Sequence, residues 1–223
     1  MSVWTIVVAA GSGVRFGGDK QAVNLGGRPV LAHSVTTAGT ISDGVVVVVA
    51  PERLPVTNGL LSGMKGAVTV VAGGATRSAS VRAGLTAVPF DAEVVLVHDG
   101  ARPLATRALF ARVVAAVRAG ADAVVPGVLV ADSLRSVGGG SVDRDGVMAV
   151  QTPQGFPADL LRNAYALGSD ASDDATLVEA AGGKVVVVDG EPENFKITRS
   201  GDLALAAAAF GEIEAATGAN SHD

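Results

Sequence analysis

A doubly wound α/β fold, built on a mostly parallel sheet with a β-hairpin arm projecting from it, is what this amino-acid sequence predicts. Apolar β-branched runs of strand length alternate with helix-length segments along most of the chain. One of those runs, GVVVVVA from Gly44 to Ala50, has five consecutive valines, the pattern of a central parallel strand covered on both faces. The alternation breaks once, between Gly127 and Gln154, where two segments flank Gly138-Gly139-Gly140. A polar hairpin is the economical account of that break.

Taken in order, the first strand, Thr5 to Val8, runs into a loop holding Gly11, Gly13, Gly17 and Gly18. Without a Cβ, such a loop can close its N–H groups on a phosphate chain, and Arg15 and Lys20 can flank the phosphate that reacts. Pro29 to Gly39 reads as a helix with proline near its start, followed by the valine strand. The next strand is Ala67 to Val71, after which Gly73-Gly74 opens a helix over Ala75 to Val88. Glu93 to Val97 is a buried strand running into His98-Asp99-Gly100-Ala101-Arg102-Pro103, and a helix over Ala105 to Ala119 precedes a short strand, Ala123 to Val125.

In the arm, Val128 to Val137 and Ser141 to Val150 are the expected strands. An isolated two-stranded ribbon is marginal in water, so the arm should pack on the same arm of a second subunit or, failing that, on its own domain. Helix resumes from Pro157 to Leu167, and the acidic loop Ser169 to Asp174 can cap a helix over Ala175 to Ala181. A buried strand over Lys184 to Val188, a short edge strand over Glu193 to Thr198 and an alanine-rich helix from Gly201 to about Ala216 complete the chain. The length suits one domain over residues 1–223, with 127–154 as its arm.

Composition narrows the function. A net charge of −5 supplies no global basic field for nucleic acid or an anionic membrane, so anionic ligands must be met by local clusters. Cysteine is absent, which removes disulfide and thiolate-metal chemistry and agrees with a reducing cytoplasm. No basic leader precedes the first strand, and Gly11 and Gly13 interrupt its apolar run short of membrane-spanning length, so a cytoplasmic chain is expected.

Ligands of open parallel sheets sit at the carboxyl ends of the strands. Four clusters fall at such ends or nearby: Ala9 to Lys20, Gly73 to Ser80, His98 to Arg102 and Asn194 to Arg199. They supply glycine amides, the cations Arg15, Lys20, Arg77, Arg102 and Lys196, and one carboxylate, Asp99. That balance points to phosphoryl or nucleotidyl transfer with a divalent metal. The ordinary alternatives are that Arg77 and Arg102 brace loops through surface ion pairs, that Asp99 is a turn residue and that His98 is structural. The loop alone does not choose between a nucleotide site and a turn. Phe16 stands where a dinucleotide fingerprint needs glycine, and Lys20 is followed by Gln21, not by Ser or Thr. No Ser, His and acid fall in an order that supports acyl transfer.

Five motifs together carry a resemblance over nearly the whole chain: AAGSGVRFGGDKQ, GGATRSASV, VHDGARP, DRDGVMAVQTPQGF and NFKITRSGDL. With these the chain resembles the cytidylyltransferases of non-mevalonate isoprenoid biosynthesis, which act on 2-C-methyl-D-erythritol 4-phosphate. The resemblance implies a Rossmann-like nucleotidyltransferase domain that uses CTP, with Mg²⁺ held mainly by the CTP phosphates and not by a dedicated ligand set. It makes Arg15, Lys20, Arg144 and Lys196 the catalytic residues, the first two stabilising charge on the α-phosphate and the other two positioning the acceptor phosphate. Ala9, Ala10, Gly11 and Gly13 would hold the base and phosphates, Gly74 and Ser80 the cytosine, and Asp99 and Gly100 would lie beside the ribose. Arg102, Asp132, Ser133, Thr152 and Ser172 would serve the acceptor. Of these, Asp132 and Ser133, and Arg102 likewise, would act across a homodimer built through the arm.

The chain departs from the family pattern at Ala75, where relatives often carry Asp, at Asp19 for a usual proline, at Ala22 for a common aromatic and at Ser172 for a frequent threonine. Ribitol 5-phosphate cytidylyltransferases share much the same motifs, and Ser78 and Ala101 favour methylerythritol phosphate over ribitol phosphate by small side chains only. A nucleotide-binding protein without turnover is a further reading, against which both Arg15 and Lys20 stand.

Overall fold

The structure, a computed structural model, describes residues 2–11, 13, 15–168, 170–171 and 173–219, with side chains to residue 211. The strands are β1 (Val3–Ala9), β2 (Asn24–Leu25), β3 (Arg28–Pro29), β4 (Gly44–Val49), β5 (Ala67–Ala72), β6 (Val94–Asp99), β7 (Ala123–Leu129), β8 (Leu134–Arg135), β9 (Ser141–Val142), β10 (Met148–Val150), β11 (Gln154–Pro157) and β12 (Val185–Asp189). The helices are α1 (Val30–Gly39), α2 (Leu54–Leu61), α3 (Arg77–Ala87), α4 (Arg107–Arg118), α5 (Ala158–Ala166), α6 (Asp174–Ala180) and α7 (Gly201–Ala219).

The main sheet runs β5, β4, β1, β6, β11, β7, with β12 beyond β7 and β10 paired to β7 on the same side as β11. β1, β4, β5 and β6 are mutually parallel, and β12 is parallel to β7. The valine run of β4 is buried throughout and feeds both faces. Val45, Val47 and Val49 pack into the layer formed by α1, α2 and α4, and Val46 and Val48 into that formed by α3, α5 and α6. Two helical layers on one sheet are the doubly wound arrangement that the sequence predicts. The helices start where local chemistry starts them: Thr76 Oγ1 accepts from Ala79 N–H at 3.0 Å, Thr106 Oγ1 from Leu109 N–H at 3.1 Å, and Asp173 Oδ1 from Thr176 N–H at 2.9 Å.

Several elements differ from expectation. Lys184–Val188 is not a buried strand: β12 pairs with β7 alone, and Val186 and Val187 are 42% and 48% exposed. Four valines in a row read as two-sided burial, but at this sheet edge both faces stay partly open, since the consecutive Val186 and Val187 point to opposite sides. Residues 193–198 form no strand: side chains of Arg102, Lys20 and Asp202 take Asn194 C=O, Ile197 C=O and Thr198 N–H, and the backbone bonds of Asn194 and Ile197 run singly to Glu191 and Ala101 without a ladder. β7 runs on to Leu129, and β11 and α2 lie outside what the sequence indicates. β11 is antiparallel to both its neighbours, and its Gly and Pro read as punctuation; Gly155 lies so close to α4 that a Cβ would meet Val113 at 2.5 Å. The arm has its turn at the glycines as predicted, but its long strands are replaced by two short pairings, β7 with β10 at the base and β8 with β9 at the tip. No residue from Leu129 to Val150 is buried.

Register sets the functional edge. Val8 of β1 is level with Val48 of β4 and Asp99 of β6, and Val49 with Ala72 of β5. The glycine loop, the Gly73-Gly74 turn and Asp99 therefore leave the sheet at one height, on its carboxyl side.

Candidate active site

The loop after β1 turns back at Gly13, where φ is +65° and a Cβ would meet Gly18 O at 2.3 Å. Only glycine suits that position. On the α3 side of the loop a cleft of about 420 Å³ is lined by Ala9, Ala10, Gly11 and Lys20 from the end of β1 and the loop, Gly74 from the turn after β5, Ser80 from α3, and Asp99 and Lys196 opposite. An adjoining cleft of about 220 Å³ is lined by Gly11, Gly13, Arg15, Lys20 and Lys196. The second cleft is a cradle with three cations. A third, of about 290 Å³, opens on the other side of the loop against Val49, Val56 and Leu60; it reaches Lys20 but none of Gly74, Asp99 or Lys196. The site therefore belongs to the first two.

The turn after β5 is folded around Ser80, whose hydroxyl donates to Thr76 C=O at 2.9 Å and accepts from Gly74 N–H at 3.2 Å. Gly74 and Ser80 thus form one wall of the cleft. Arg77 lines the same cleft, but its guanidinium is bidentate to Asp174, with Nη1–Oδ1 at 3.0 Å and Nη2–Oδ2 at 2.6 Å. This brace is no surface pair, since the Asp174 side chain is 0% exposed. The carboxylate raises the Arg77 pKa further despite the opposing effect of burial.

Asp99 faces the cations. Its Oδ2 meets Lys196 Nζ at 2.9 Å and Arg102 Nε at 3.6 Å. Burial alone would raise its pKa; Lys196 first, then Arg102 and Arg77, overcome this and hold it at about 2. Lys20 donates from Nζ to Ile197 C=O at 2.9 Å, and its pKa is lowered, by burial first and then by Lys196 and Arg15. Arg102 is taken up internally, with Nη1 on Asn194 C=O at 2.7 Å.

Behind Asp99 lies a closed relay. His98 is fully buried against Phe110, at a ring separation of 5.0 Å. Its Nε2 lies 3.2 Å from Arg102 C=O and must donate there, so Nδ1, 3.0 Å from Thr152 Oγ1, accepts the threonine hydroxyl. Thr152 Oγ1 in turn accepts Asp99 N–H at 3.0 Å. His98 is structural, as its position at the end of a buried strand suggests, and burial pushes its pKa down to about 4. It is neutral in the fold and ordinarily titrates near 6.5 when exposed. Its stabilisation is therefore complete above pH 6.5 and lost as pH falls toward 4, a loss of about 3 kcal/mol. Urea titrations across that range should show this fall in stability in the native chain and a shallower one in His98→Asn.

The structure thus brings Ala9, Ala10, Gly11, Gly13, Arg15, Lys20, Gly74, Ser80, Asp99 and Lys196 to one place. Gly100 lies against Ala9 and Leu31, and Arg102 and Thr152 stand behind the cleft, Arg102 Nη1 on Asn194 C=O and Thr152 Oγ1 on Asp99 N–H. Asp132, Ser133 and Arg144 are exposed on the arm and line none of these clefts, and Ser172 lies outside the described residues. Sequence reasoning gave no role at the site to Gln151 and Gln154, took Asp174 only as part of a helix-capping loop and named Asn194 only as the start of a cluster; all four are buried and polar. The available signal was their place in the QTPQGF and NFKITRSGDL motifs or in the acidic loop. Among the described residues no group of three or more His, Asp or Glu forms a metal site, and no helix is long and apolar enough to cross a membrane.

Comparison with known proteins agrees with this geometry. The family model described as 2-C-methyl-D-erythritol 4-phosphate cytidylyltransferase matches residues 3–212. The enzyme of that name from Rhodococcus opacus is 49% identical over 217 residues, covering 92% of this chain and 94% of the relative. That from Nocardia farcinica is 47% identical over 214 residues, covering 92% of each. Among solved structures, the Thermus thermophilus enzyme of the same name superposes with a TM-score of 0.79 at 39% identity, covering 94% of this chain and 98% of that one. The 4-diphosphocytidyl-2C-methyl-D-erythritol synthase of Anaerococcus prevotii gives 0.83 at 31% identity, covering 94% and 98%. This chain belongs to the 2-C-methyl-D-erythritol 4-phosphate cytidylyltransferase family, whose α/β fold and motif residues it carries.

Proposed function

We propose that this chain transfers CMP from CTP to 2-C-methyl-D-erythritol 4-phosphate, giving 4-diphosphocytidyl-2-C-methyl-D-erythritol and pyrophosphate. The observation that carries the reading is the convergence of Arg15, Lys20 and Lys196 on a cradle continuous with the cleft walled by Gly74 and Ser80. The acceptor phosphate is already an anionic nucleophile, so the step needs no strong base. An oxygen of that phosphate attacks the α-phosphorus in line, the bond to the bridging oxygen breaks, and pyrophosphate leaves with that electron pair. The obstacle is the approach of one anion to another. Arg15, Lys20 and Lys196 offset it, most strongly where charge builds on the five-coordinate phosphorus.

A divalent ion such as Mg²⁺ fits this site as a companion of the nucleotide. The donor set offers one carboxylate, Asp99, beside several cations, which suits a metal held chiefly by triphosphate oxygens. When bound, the ion supplies further neutralisation of phosphate charge. Ala9, Ala10, Gly11 and Gly13 bind the base and phosphates, and Asp99 and Gly100 lie beside the ribose. The absence of cysteine supports a cytoplasmic setting.

The chain acts as one nucleotidyltransferase domain over 1–223 whose arm, 127–154, pairs with a second copy. Support comes from apolar side chains exposed on and beside the arm: Leu129 (76%), Met148 (41%), Val150 (42%) and Val187 (48%). Asp132, Ser133 and Arg144 would thereby serve the neighbouring site.

Pyrophosphate release with CTP and Mg²⁺ tests the whole reading. Turnover is expected with methylerythritol 4-phosphate and not with ribitol 5-phosphate; the reverse preference would replace the acceptor, and no release with either would leave a binding protein. In the same assay, inactive Lys20→Ala and Arg144→Ala chains should regain activity when mixed, because one of the two sites in the mixed dimer is then intact. Failure to complement would sink the shared site.

A further inference from the structure

Lys196 is carried by a segment that has no ladder of its own, and two buried amides hold that segment in place. Asn194 is fully buried, and its Nδ2 donates to Gln151 Oε1 at 3.2 Å and to Thr152 C=O at 2.9 Å. Gln151, 4% exposed, donates from Nε2 to Glu191 C=O at 2.7 Å, and its Oε1 accepts Glu191 N–H at 3.1 Å. On the other side of Lys196, the buried Ile197 donates its N–H to Ala101 C=O at 2.9 Å. Lys196 thus stands between two fixed neighbours. From there its Nζ reaches Asp99.

Two acceptors around one nitrogen leave the Asn194 amide a single orientation, and in that orientation its buried Oδ1 meets no donor among the described residues. A buried acceptor without a partner destabilises a fold. Stability alone does not account for an asparagine there. What its nitrogen does is tie the Lys196 segment to the turn bearing Thr152, which already holds Asp99 through its backbone N–H.

We infer that Asn194 and Gln151 are positioning residues of the transfer reaction. Together they dock residues 191–197 on the turn at 151–152 and so fix the Lys196 ammonium relative to Asp99 and the phosphate cradle. This deepens the function proposed above and rests on it, since the placement matters only if Lys196 meets phosphate. A misplacement of about 1 Å at a reacting centre lowers the rate by something like 10²-fold.

The test is a double-mutant cycle read by pyrophosphate release and by urea unfolding, using Asn194→Ala, Lys196→Ala and the double variant. Asn194→Ala is expected to lower kcat about 10- to 10²-fold in the native background and to change it little once Lys196 is already alanine. Its shift in urea midpoint should be the same in both backgrounds. An equal loss of kcat in both would overturn the inference, because Asn194 would then act through the fold alone. Near-native turnover of Lys196→Ala would instead refute the role of Lys196 itself, and the positioning role with it. Should Asn194→Ala fail to fold, Gln151→Ala keeps the bond from Asn194 to Thr152 and is put through the same cycle. The same non-additivity is expected there, and additivity would again sink the idea.

Discussion

Replacing Lys20 by alanine should lower kcat for pyrophosphate release by about 10² to 10³, the scale for losing one well-placed transition-state donor. The expectation follows from where the ammonium sits. It lies in the cradle shared by Arg15 and Lys196, is partly buried, and has its pKa lowered by burial and by the two neighbouring cations. Crowded like charges raise the free energy of the unliganded site and are relieved when a polyanion arrives. That relief is greatest when charge is greatest, at the five-coordinate α-phosphorus, so the loss should appear in kcat more than in KM. Arg15→Ala should act in the same direction. Steady-state kinetics of both variants provide the check, and near-normal turnover in both would refute the role assigned to this loop.

Replacing Arg77 by methionine is expected to destabilise the fold by about 3–5 kcal/mol, measured by urea unfolding at neutral pH. The substitution keeps most of the side-chain volume but strands Asp174. That carboxylate is fully buried, and without the guanidinium its side chain would retain, among the described residues, only the Tyr165 hydroxyl. Burial and the same carboxylate already raise the Tyr165 pKa, so the phenol remains a donor and cannot supply the missing positive charge. Removing both charges together, as Arg77→Met with Asp174→Leu, should cost less than removing the arginine alone, because no uncompensated ion remains. If the single variant lost less than about 1 kcal/mol, the pair would behave as a surface bridge. The pair matters to function because it joins the first turns of α3 and α6 beside the wall formed by Gly74 and Ser80.

Much of this was legible in the sequence, and the reasons differ by element. The valine run announced its own two-sided burial, and the glycine loop, the Gly73-Gly74 turn and Asp99 announced a shared sheet edge, because strand periodicity and strand-end chemistry are local properties. Nothing local marks β11. Its four residues contain a glycine and a proline, and they are a strand only because β6 and β7 leave a slot between them. The valines of β12 mislead for the opposite reason: their composition suits an interior that their place at the sheet edge does not supply. Asp19 is a departure from the family pattern with a visible consequence, an ion pair with Arg53 that ties the phosphate loop to the start of α2. The polar residues missed at the site, Asn194 and Gln151 above all, act through partners about forty positions apart, a distance over which no spacing rule operates.

The slot filled by β11 also dictates an order of assembly. A nascent chain emerges from its N-terminus, so β1, β4, β5 and β6 can pair before residues 154–157 have been made. Until then β6 has β1 on one side and a bare edge on the other, and a bare edge is a template for unwanted pairing. Once Gln154–Pro157 arrives, it closes that edge, and the turn just before it delivers Thr152 to Asp99. Lys196 joins later still, after β12 has been synthesised. The cradle proposed for the triphosphate thus holds Arg15 and Lys20 from the start but is completed by Lys196 only near the end of synthesis, and a truncated translation product would have a sheet without its third cation.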